Sequence, residues 1–214
     1  MKTQILVIDD HSIVRLGIKY LSWKTLNAET YEAENLSEAR KILQTRPIDL
    51  IILDIGLPDW EGVKVIKDLK KIKPRARVLV CSAHSETVYS LRCIDAGADG
   101  YMQKSVNQED TCKAILSVLN GRQYISEKMR DHIMESRLSQ GNIYAEKNPL
   151  SLLTDREMEV CELLRKGLRI SEIADQMKLH TSTVSTYKTK IFEKLKVTNV
   201  NLLVDKLRLY DYFV

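Results

Sequence analysis

Short apolar runs alternate with amphipathic stretches through residues 1–122 of the chain. The apolar runs predict five strands, at residues 4–10, 29–34, 49–54, 77–83 and 100–104. The stretches between them predict helices at residues 12–22, 36–46, 61–72, 86–96 and 107–120. The third run contains Leu-Ile-Ile-Leu, which leaves no polar side and is typical of a parallel strand covered on both faces. This alternation predicts an α/β domain with a doubly wound, five-stranded parallel sheet.

In residues 150–214 the pattern changes to helical spacing alone. Thr154 and Glu157 have the spacing of a capping box, which predicts the start of a helix. Helices are expected at residues 157–167, 170–177, 182–195 and 200–210. Because short helices around a tight turn are the plan of a helix-turn-helix, a second, all-α domain is predicted. Residues 123–149 then form a linker, with one expected helix at residues 126–138.

Composition and charge change this picture little. The 214 residues carry a formal net charge of +4, which permits a nucleic-acid partner without arguing for one. The four cysteines and four histidines lack metal-ligand spacing, so reduced, structural thiols are expected. No apolar run is long enough for a signal peptide or a membrane span, and a cytoplasmic protein without a membrane partner is expected.

Polar residues follow four of the five predicted strands. Asp9 and Asp10 follow the first, Asp54 ends the third, Ser82 lies near the end of the fourth, and Lys104 ends the fifth. Because parallel strands end at one edge of a sheet, these groups are expected to meet. Clustered carboxylates repel one another unless a cation such as Mg²⁺ holds them. A carboxylate in such a site can attack phosphorus, and a lysine and a hydroxyl can stabilise the transferred group.

Residues 1–122 therefore resemble the receiver domain of two-component response regulators, a flavodoxin-like fold. The resemblance rests on the order and spacing of Asp9-Asp10, Asp54, Ser82-Ala83, Tyr101 and Lys104.

The resemblance also implies roles for these residues. Asp54 would accept the phosphoryl group, assisted by Lys104 and Ser82. Asp10 and Asp54 would ligate Mg²⁺ directly, Gly56 would offer its backbone carbonyl, and Asp9 would act mostly through a water. Ser82 and Tyr101 would be a switch pair, in which Tyr101 enters space left by the Ser82 hydroxyl after phosphorylation. One departure is Ser105, where the family usually has proline, so the Lys104–Ser105 bond is either trans or strained.

The second domain resembles the LuxR-type DNA-binding domain, on the segments LTDREMEV, ISEIADQM and TVSTYKTKIFEKL. With the receiver, this resembles the NarL/FixJ class. By carry-over, Ser185, Thr186 and Thr189 would contact bases, and Lys188 and Lys190 would contact the DNA backbone. The chain departs from the family pattern at His180, Ser185, Tyr187 and Lys196.

The favoured hypothesis is a transcription regulator that accepts a phosphoryl group from a sensor histidine kinase and binds double-stranded DNA as a homodimer on activation. It would be no enzyme beyond its own phosphoryl transfer and hydrolysis. One alternative is a phosphorylation-independent DNA-binding dimer with a vestigial receiver. Another is a magnesium-dependent phosphatase, which is disfavoured because Gly56 supplies no second acid two residues after Asp54.

Overall fold

The computed structural model describes residues 2–57, 62–84, 86–127, 129–131 and 149–210. The chain divides into two compact units, Met1–His132 and Ile133–Val214. Within the described ranges, no helix is long and apolar enough to cross a membrane.

Unit 1 contains the five predicted strands in one parallel sheet, in the order β2-β1-β3-β4-β5. The strands are β1 Gln4–Ile8, β2 Glu29–Ala33, β3 Leu50–Leu53, β4 Arg77–Ser82 and β5 Gly100–Gln103. The helices are α1 Ser12–Leu26, α2 Leu36–Thr45, α3 Lys64–Ile72, α4 Glu86–Asp95 and α5 Gln108–Leu119. This order is that of a flavodoxin-like doubly wound fold, which confirms the predicted fold class.

Apolar residues of the central strands are almost completely buried, as a sheet covered on both faces requires. One face packs in a single cluster with residues of α1 and α5: Ile5, Val7, Ile18, Leu50, Ile52, Leu79, Met102, Ala114, Ile115 and Val118. The strands end one or two residues earlier than predicted. Asp9, Asp54 and Lys104 consequently lie directly beyond β1, β3 and β5.

Two helix boundaries in unit 1 differ from the sequence prediction by more than one residue. Helix α1 continues to Leu26 instead of residue 22, and it ends at Asn27, which adopts a left-handed conformation with φ 49°. Asparagine tolerates this conformation and can end a helix without glycine. Helix α3 begins at Lys64, after Gly62 at φ 57°, whereas its predicted start at residue 61 lies outside the described residues.

The outer face of α1 is unusually apolar for a surface helix. Four large side chains at helical spacing remain exposed there: Ile13, Leu16, Tyr20 and Trp23.

The first part of the expected linker, through residue 132, belongs to unit 1. Tyr124 forms a parallel bridge with Gly100, and its carbonyl accepts a hydrogen bond of 2.8 Å from the amide of Tyr101. Residues 127 and 129–131 are helical, as expected for the start of a helix at 126–138. The remainder of that helix and the linker through residue 148 lie outside the described residues.

Unit 2 is helical throughout its described part, as predicted. A 3₁₀ turn, Pro149–Leu152, is followed by α6 Asp155–Arg165, α7 Ile170–Met177, α8 Thr181–Leu195 and α9 Val200–Tyr210. The capping box of Thr154 and Glu157 is present at the start of α6. The core combines residues from all four helices: Met158, Cys161, Leu164, Ile173, Val184, Ile191, Leu195, Leu203 and Leu207. Lys178 and Lys196 end α7 and α8 in the left-handed conformation, at φ 54° and 52°, without the glycine that usually occupies such a position.

Candidate functional site

Backbone hydrogen bonds continue the sheet ladder past the strand ends and position three of the predicted site residues. The amide of Asp9 donates to the last residue of β2 at 3.1 Å, and the amide of Asp54 donates to the last residue of β1 at 2.9 Å. The amide of Lys104 donates to the carbonyl of Ser82 at 2.9 Å. These groups therefore meet at the carboxyl edge of the sheet, because the backbone itself holds them there.

Lys104 joins two buried carboxylates. Its Nζ lies 2.7 Å from Oδ2 of Asp9 and 2.8 Å from Oδ2 of Asp54, whose side chains are 2% and 6% exposed. Burial lowers the pKa of Lys104, but its hydrogen bonds to Asp54 and Asp9 and their charges outweigh this effect, so the pKa lies above its usual value. The lysine stays charged and partly compensates two acids that would otherwise repel each other.

Asp10 lies beside this ion pair and contacts His11. The side chain of Asp10 is 43% exposed, and its Oδ1 lies 2.6 Å from Nδ1 of His11. The same nitrogen lies 3.1 Å from Oδ1 of Asp9, which also accepts the His11 backbone amide at 2.9 Å. One ligand atom from each of Asp9, Asp10, His11 and Asp54 lies within 4.8 Å of the others.

The donor set fits a divalent cation by its charge. Three carboxylates, from Asp9, Asp10 and Asp54, face one lysine, which leaves 3 − 1 = 2 negative charges before His11 is counted. Oxygen ligands with excess negative charge are what hard divalent ions prefer. The structure therefore supports a cation site among these residues.

Gly56 joins the site through its amide nitrogen, which donates to Oδ1 of Asp54 at 2.9 Å. A Cβ at this position would lie only 3.3 Å from that oxygen, so glycine permits the close approach of the backbone. The metal-binding role expected for the Gly56 carbonyl remains a prediction.

Ser82 and Tyr101 are linked through the backbone of His84. Oγ of Ser82 accepts the His84 amide at 3.3 Å, and the Tyr101 hydroxyl donates to the His84 carbonyl at 2.8 Å. Both side chains are fully buried. The ring of Tyr101 thus lies inside the protein with its hydroxyl bonded. The roles expected for Ser82 and Tyr101 as a switch pair remain a prediction.

The Lys104–Ser105 peptide bond is trans, since the described residues contain no cis bond. Lys104 nevertheless reaches both acids, so the missing proline does not prevent these contacts. Beside it, Cys81 is inert as a nucleophile because burial raises the pKa of its thiol to about 12.

In unit 2, the predicted DNA-binding residues lie on the solvent side of α8. Lys188 is half-buried, and the others are exposed: Ser185, Thr186, Thr189 and Lys190. The hydroxyls of Thr186 and Thr189 donate to carbonyls one turn earlier, at 3.0 and 3.1 Å. They remain available as acceptors. Nζ of Lys188 lies 5.4 Å from the ring centre of Phe192, within the range of a cation–π contact.

Comparison with known proteins assigns both units to families. Residues 5–116 match the response regulator receiver domain, and residues 151–207 match the bacterial regulatory proteins of the luxR family. The chain belongs to the two-component response regulators. The pairing of these two domains confirms the NarL/FixJ-class resemblance drawn from the motifs.

Whole-length relatives agree with this assignment. This response regulator is 31% identical over 210 residues to the Fimbriae Z protein of Escherichia coli K12, covering 98% of both chains. It is 32% identical over 205 residues to the virulence factors putative positive transcription regulator BvgA of Bordetella pertussis, covering 96% of both.

Two solved structures are similar in fold. A LuxR-family two-component response regulator from Aurantimonas sp. is 28% identical, with a TM-score of 0.59, over 64% of this chain and 99% of its own. RcsB of Salmonella enterica serovar Typhimurium, solved on promoter rprA with the phosphomimetic BeF3-, has a TM-score of 0.62 at 22% identity, over 97% and 98% of the chains.

Two residues beside the site were not predicted from the sequence. His11 directly follows the acidic pair, and that adjacency was the available signal. Arg15 is 6% exposed and donates from Nη1 to the carbonyl of Asp9 at 2.7 Å. Arg15 shares the buried face of α1 with Ile18 and Ser22, so a basic residue on an inward face was the signal there.

Proposed function

We propose that this protein is a DNA-binding transcription regulator whose Asp54 accepts a phosphoryl group from a sensor histidine kinase. The observation that carries the proposal is the pair of carboxylates, Asp9 and Asp54, that share the ammonium of Lys104 beside Asp10. This arrangement combines a nucleophile, a cation and further oxygen ligands at one edge of a sheet. We take residues 1–122 as the receiver domain, 123–149 as the linker and 150–214 as the DNA-binding domain.

Phosphoryl transfer makes an acyl phosphate. A carboxylate oxygen of Asp54 bonds to phosphorus while the bond from phosphorus to the kinase imidazole nitrogen breaks, and its electron pair leaves with the imidazole. Lys104 stabilises charge on the transferred oxygens from its place against Asp54. Mg²⁺, held by Asp10, Asp54 and the carbonyl of Gly56, with Asp9 acting through a water, would neutralise the phosphoryl charge.

The switch follows from the chain of contacts through His84. We propose that the Ser82 hydroxyl turns toward the phosphoryl group and gives up its contact with the amide of His84. The carbonyl of His84 accepts a hydrogen bond from the Tyr101 hydroxyl, so a shift of the His84 backbone would change the position or bonding of Tyr101. Ser82 and Tyr101 would thus report phosphorylation through one segment of backbone.

DNA binding is assigned to the exposed side of α8. We propose that Ser185, Thr186 and Thr189 contact bases while Lys188 and Lys190 contact phosphates. Few base-reading groups lie on one helix, so two copies are needed for a specific site. Phosphorylated receivers would pair in a homodimer, which raises the effective concentration of the second DNA-binding domain on half-sites about one helical turn apart. The protein would act in the cytoplasm, where bacterial DNA lies.

The proposal is tested by intact-mass measurement after incubation with a small phosphodonor and Mg²⁺. The unchanged chain should gain one phosphoryl group, and Asp54→Asn should gain none. Asp68→Asn removes a half-buried aspartate of α3 that lies outside the site, and this variant should label like the unchanged chain. In Asp10→Ala, the extent of labelling should no longer depend on Mg²⁺, because a direct ligand of the ion has been removed. If Asp54→Asn still gains a phosphoryl group, the assignment of the acceptor is wrong.

A further inference from the structure

Besides three aspartates, the acidic site contains a nitrogen atom that could bind a metal ion, Nδ1 of His11. Nδ1 of His11 lies 2.6 Å from Oδ1 of Asp10 and 3.1 Å from Oδ1 of Asp9, and it shares with Asp9, Asp10 and Asp54 a cluster in which the ligand atoms lie within 4.8 Å of one another. Two ligands on opposite sides of one divalent ion are about 4 to 5 Å apart, so the separations in this cluster are compatible with a single ion.

We propose that His11 is a further ligand of the metal ion, through Nδ1, and that it makes this receiver bind divalent transition metals such as Mn²⁺ or Co²⁺ in preference to Mg²⁺. The inference rests on the proposed function in one respect, namely that the three aspartates hold a divalent cation.

The two oxygens of Asp9 face different partners, which separates the lysine from the ion. Oδ2 of Asp9 and Oδ2 of Asp54 both take Lys104. Oδ1 of Asp9 faces His11, which binds it through its backbone amide and lies against it with its ring. The imidazole therefore lies on the side of Asp9 that Lys104 leaves open, beside Asp10.

His11 is held in place before an ion arrives. It is the residue that precedes α1, with extended backbone angles of φ −86° and ψ 108°, and its carbonyl accepts the amides of Val14 and Arg15 in the first turn. Ligation releases to solvent the proton that Nδ1 shares with the oxygens of Asp10 and Asp9, and the ion takes its place. The ring is 62% exposed, so its ligation displaces no packed neighbour. A ligand on a fixed backbone loses less entropy on binding than one on a flexible loop.

The metal preference follows from ligand chemistry. Mg²⁺ selects oxygen ligands in near-octahedral geometry and keeps several waters, so a water can replace the imidazole at little cost. Imidazole nitrogen binds transition metals more strongly, and the gain rises from Mn²⁺ through Co²⁺ to Ni²⁺. His11 should thus raise the affinity for these ions and leave that for Mg²⁺ almost unchanged.

The experiment compares the full chain with His11→Ala and, as a matched control, His180→Ala, which removes an exposed histidine from unit 2. Calorimetric titrations give the dissociation constants for Mg²⁺ and Co²⁺. Pulsed electron paramagnetic resonance of bound Mn²⁺ detects a coupled ¹⁴N nucleus only if nitrogen is a ligand. We expect ¹⁴N coupling in the unchanged chain and in His180→Ala, and its loss in His11→Ala. Co²⁺ affinity should fall about tenfold or more in His11→Ala, with that for Mg²⁺ changed less than about twofold.

Each other outcome has one meaning. An unchanged chain that binds Mn²⁺ without ¹⁴N coupling, or a His11→Ala variant with the same ratio of Co²⁺ to Mg²⁺ affinity, overturns the role of His11. In either case Mg²⁺ binding that is lost in Asp10→Ala would still support the proposed function. A chain that binds none of the three ions overturns both.

Discussion

The Tyr101 hydroxyl lies 2.8 Å from the carbonyl of His84, whose amide in turn contacts the buried Oγ of Ser82 at 3.3 Å. Tyr101 is therefore connected to Ser82, beside the proposed phosphorylation site, through one peptide segment. The ring of His84 is also stacked on Tyr89 of α4, at 4.7 Å between ring centres. A movement at Ser82 can reach α4 and β5 by this route.

Tyr101→Phe should leave phosphorylation of Asp54 intact and weaken its effect on DNA binding. The change removes a buried hydrogen bond worth about 1 kcal/mol but touches no group at Asp54. Labelling of Asp54 should be unchanged, while the difference in DNA binding between the unmodified and phosphorylated protein should shrink. Tyr31→Phe, which loses an exposed hydrogen bond to Glu29, serves as the control. If Tyr101→Phe is labelled like the unchanged chain and its DNA binding responds equally to phosphorylation, Tyr101 has a structural role only.

Lys104→Met should destabilise unit 1, because two buried carboxylates lose their shared cation. The cost of such a loss is about 3 kcal/mol, whereas Lys71→Met, at an exposed pair with Asp68, should cost under about 1 kcal/mol. Hydrogen exchange of the β3 and β4 amides reports unit 1 separately. A similar effect of both changes would mean that the Lys104 contacts add little.

The same ion pair predicts a dependence on alkaline pH. Since the pKa of Lys104 is raised above 10.5 in the folded chain, its stabilisation is complete below that pH and is lost as the pH rises through the folded value. Exchange protection in β3 should therefore decline above about pH 10.5, and this decline should be weaker in Lys104→Met. A profile identical in both proteins would contradict the assignment.

Unit 2 should show the opposite dependence, through Glu157. Burial raises the pKa of Glu157, but hydrogen bonds from Lys194 at 2.6 Å and from Thr154 outweigh it, so the pKa lies below 4.5. This stabilisation is present above pH 4.5 and is lost as the pH falls through the lowered value. Exchange protection in α6 should fall on acidification, and Glu157→Gln should remove most of that fall. Glu159→Gln, on the same helix but more exposed, should not.

DNA recognition can be divided between two residues of α8. Lys188→Ala should weaken binding about equally on all sequences and reduce the salt slope by about one unit, as for a phosphate contact. Thr189→Val removes an acceptor but keeps the shape, and it should alter which bases are preferred. Binding selections on randomised sites at two salt concentrations measure both effects. Altered base preference in Lys188→Ala with an unchanged slope would reverse the two roles.

The edge of the sheet was predictable because polar residues come directly after apolar runs. Asp9, Asp54 and Lys104 needed only the rule that parallel strands end together, and the structure brings all three within hydrogen-bonding distance. The helices of unit 2 were predictable for a similar reason, because their apolar spacing and capping residues agree.

Side-chain direction was not predictable from the same pattern. Asp9 and Asp10 are neighbours, yet the side chain of Asp9 is 2% exposed and contacts both Lys104 and His11, whereas that of Asp10 is 43% exposed and contacts His11. The hydroxyl of the buried Tyr101 is bonded to the carbonyl of His84, 17 residues away in sequence, and no local pattern indicates that pairing. The end of α1 at Asn27 was also hard to place, because this residue is not the glycine that commonly signals a left-handed end. The ends of α7 and α8 were predicted correctly although Lys178 and Lys196 also take the place of glycine.

Modification of Asp54 should control DNA binding, and paired measurements of affinity and association state test this most directly. DNA affinity and sedimentation should be measured on the full chain with and without beryllofluoride, alongside Asp54→Asn. The account predicts that beryllofluoride makes the unchanged chain a dimer and increases its affinity for a specific site, and that Asp54→Asn does not respond. Equal affinity and a monomer in both states on DNA would contradict it and would favour a DNA-binding protein with a vestigial receiver.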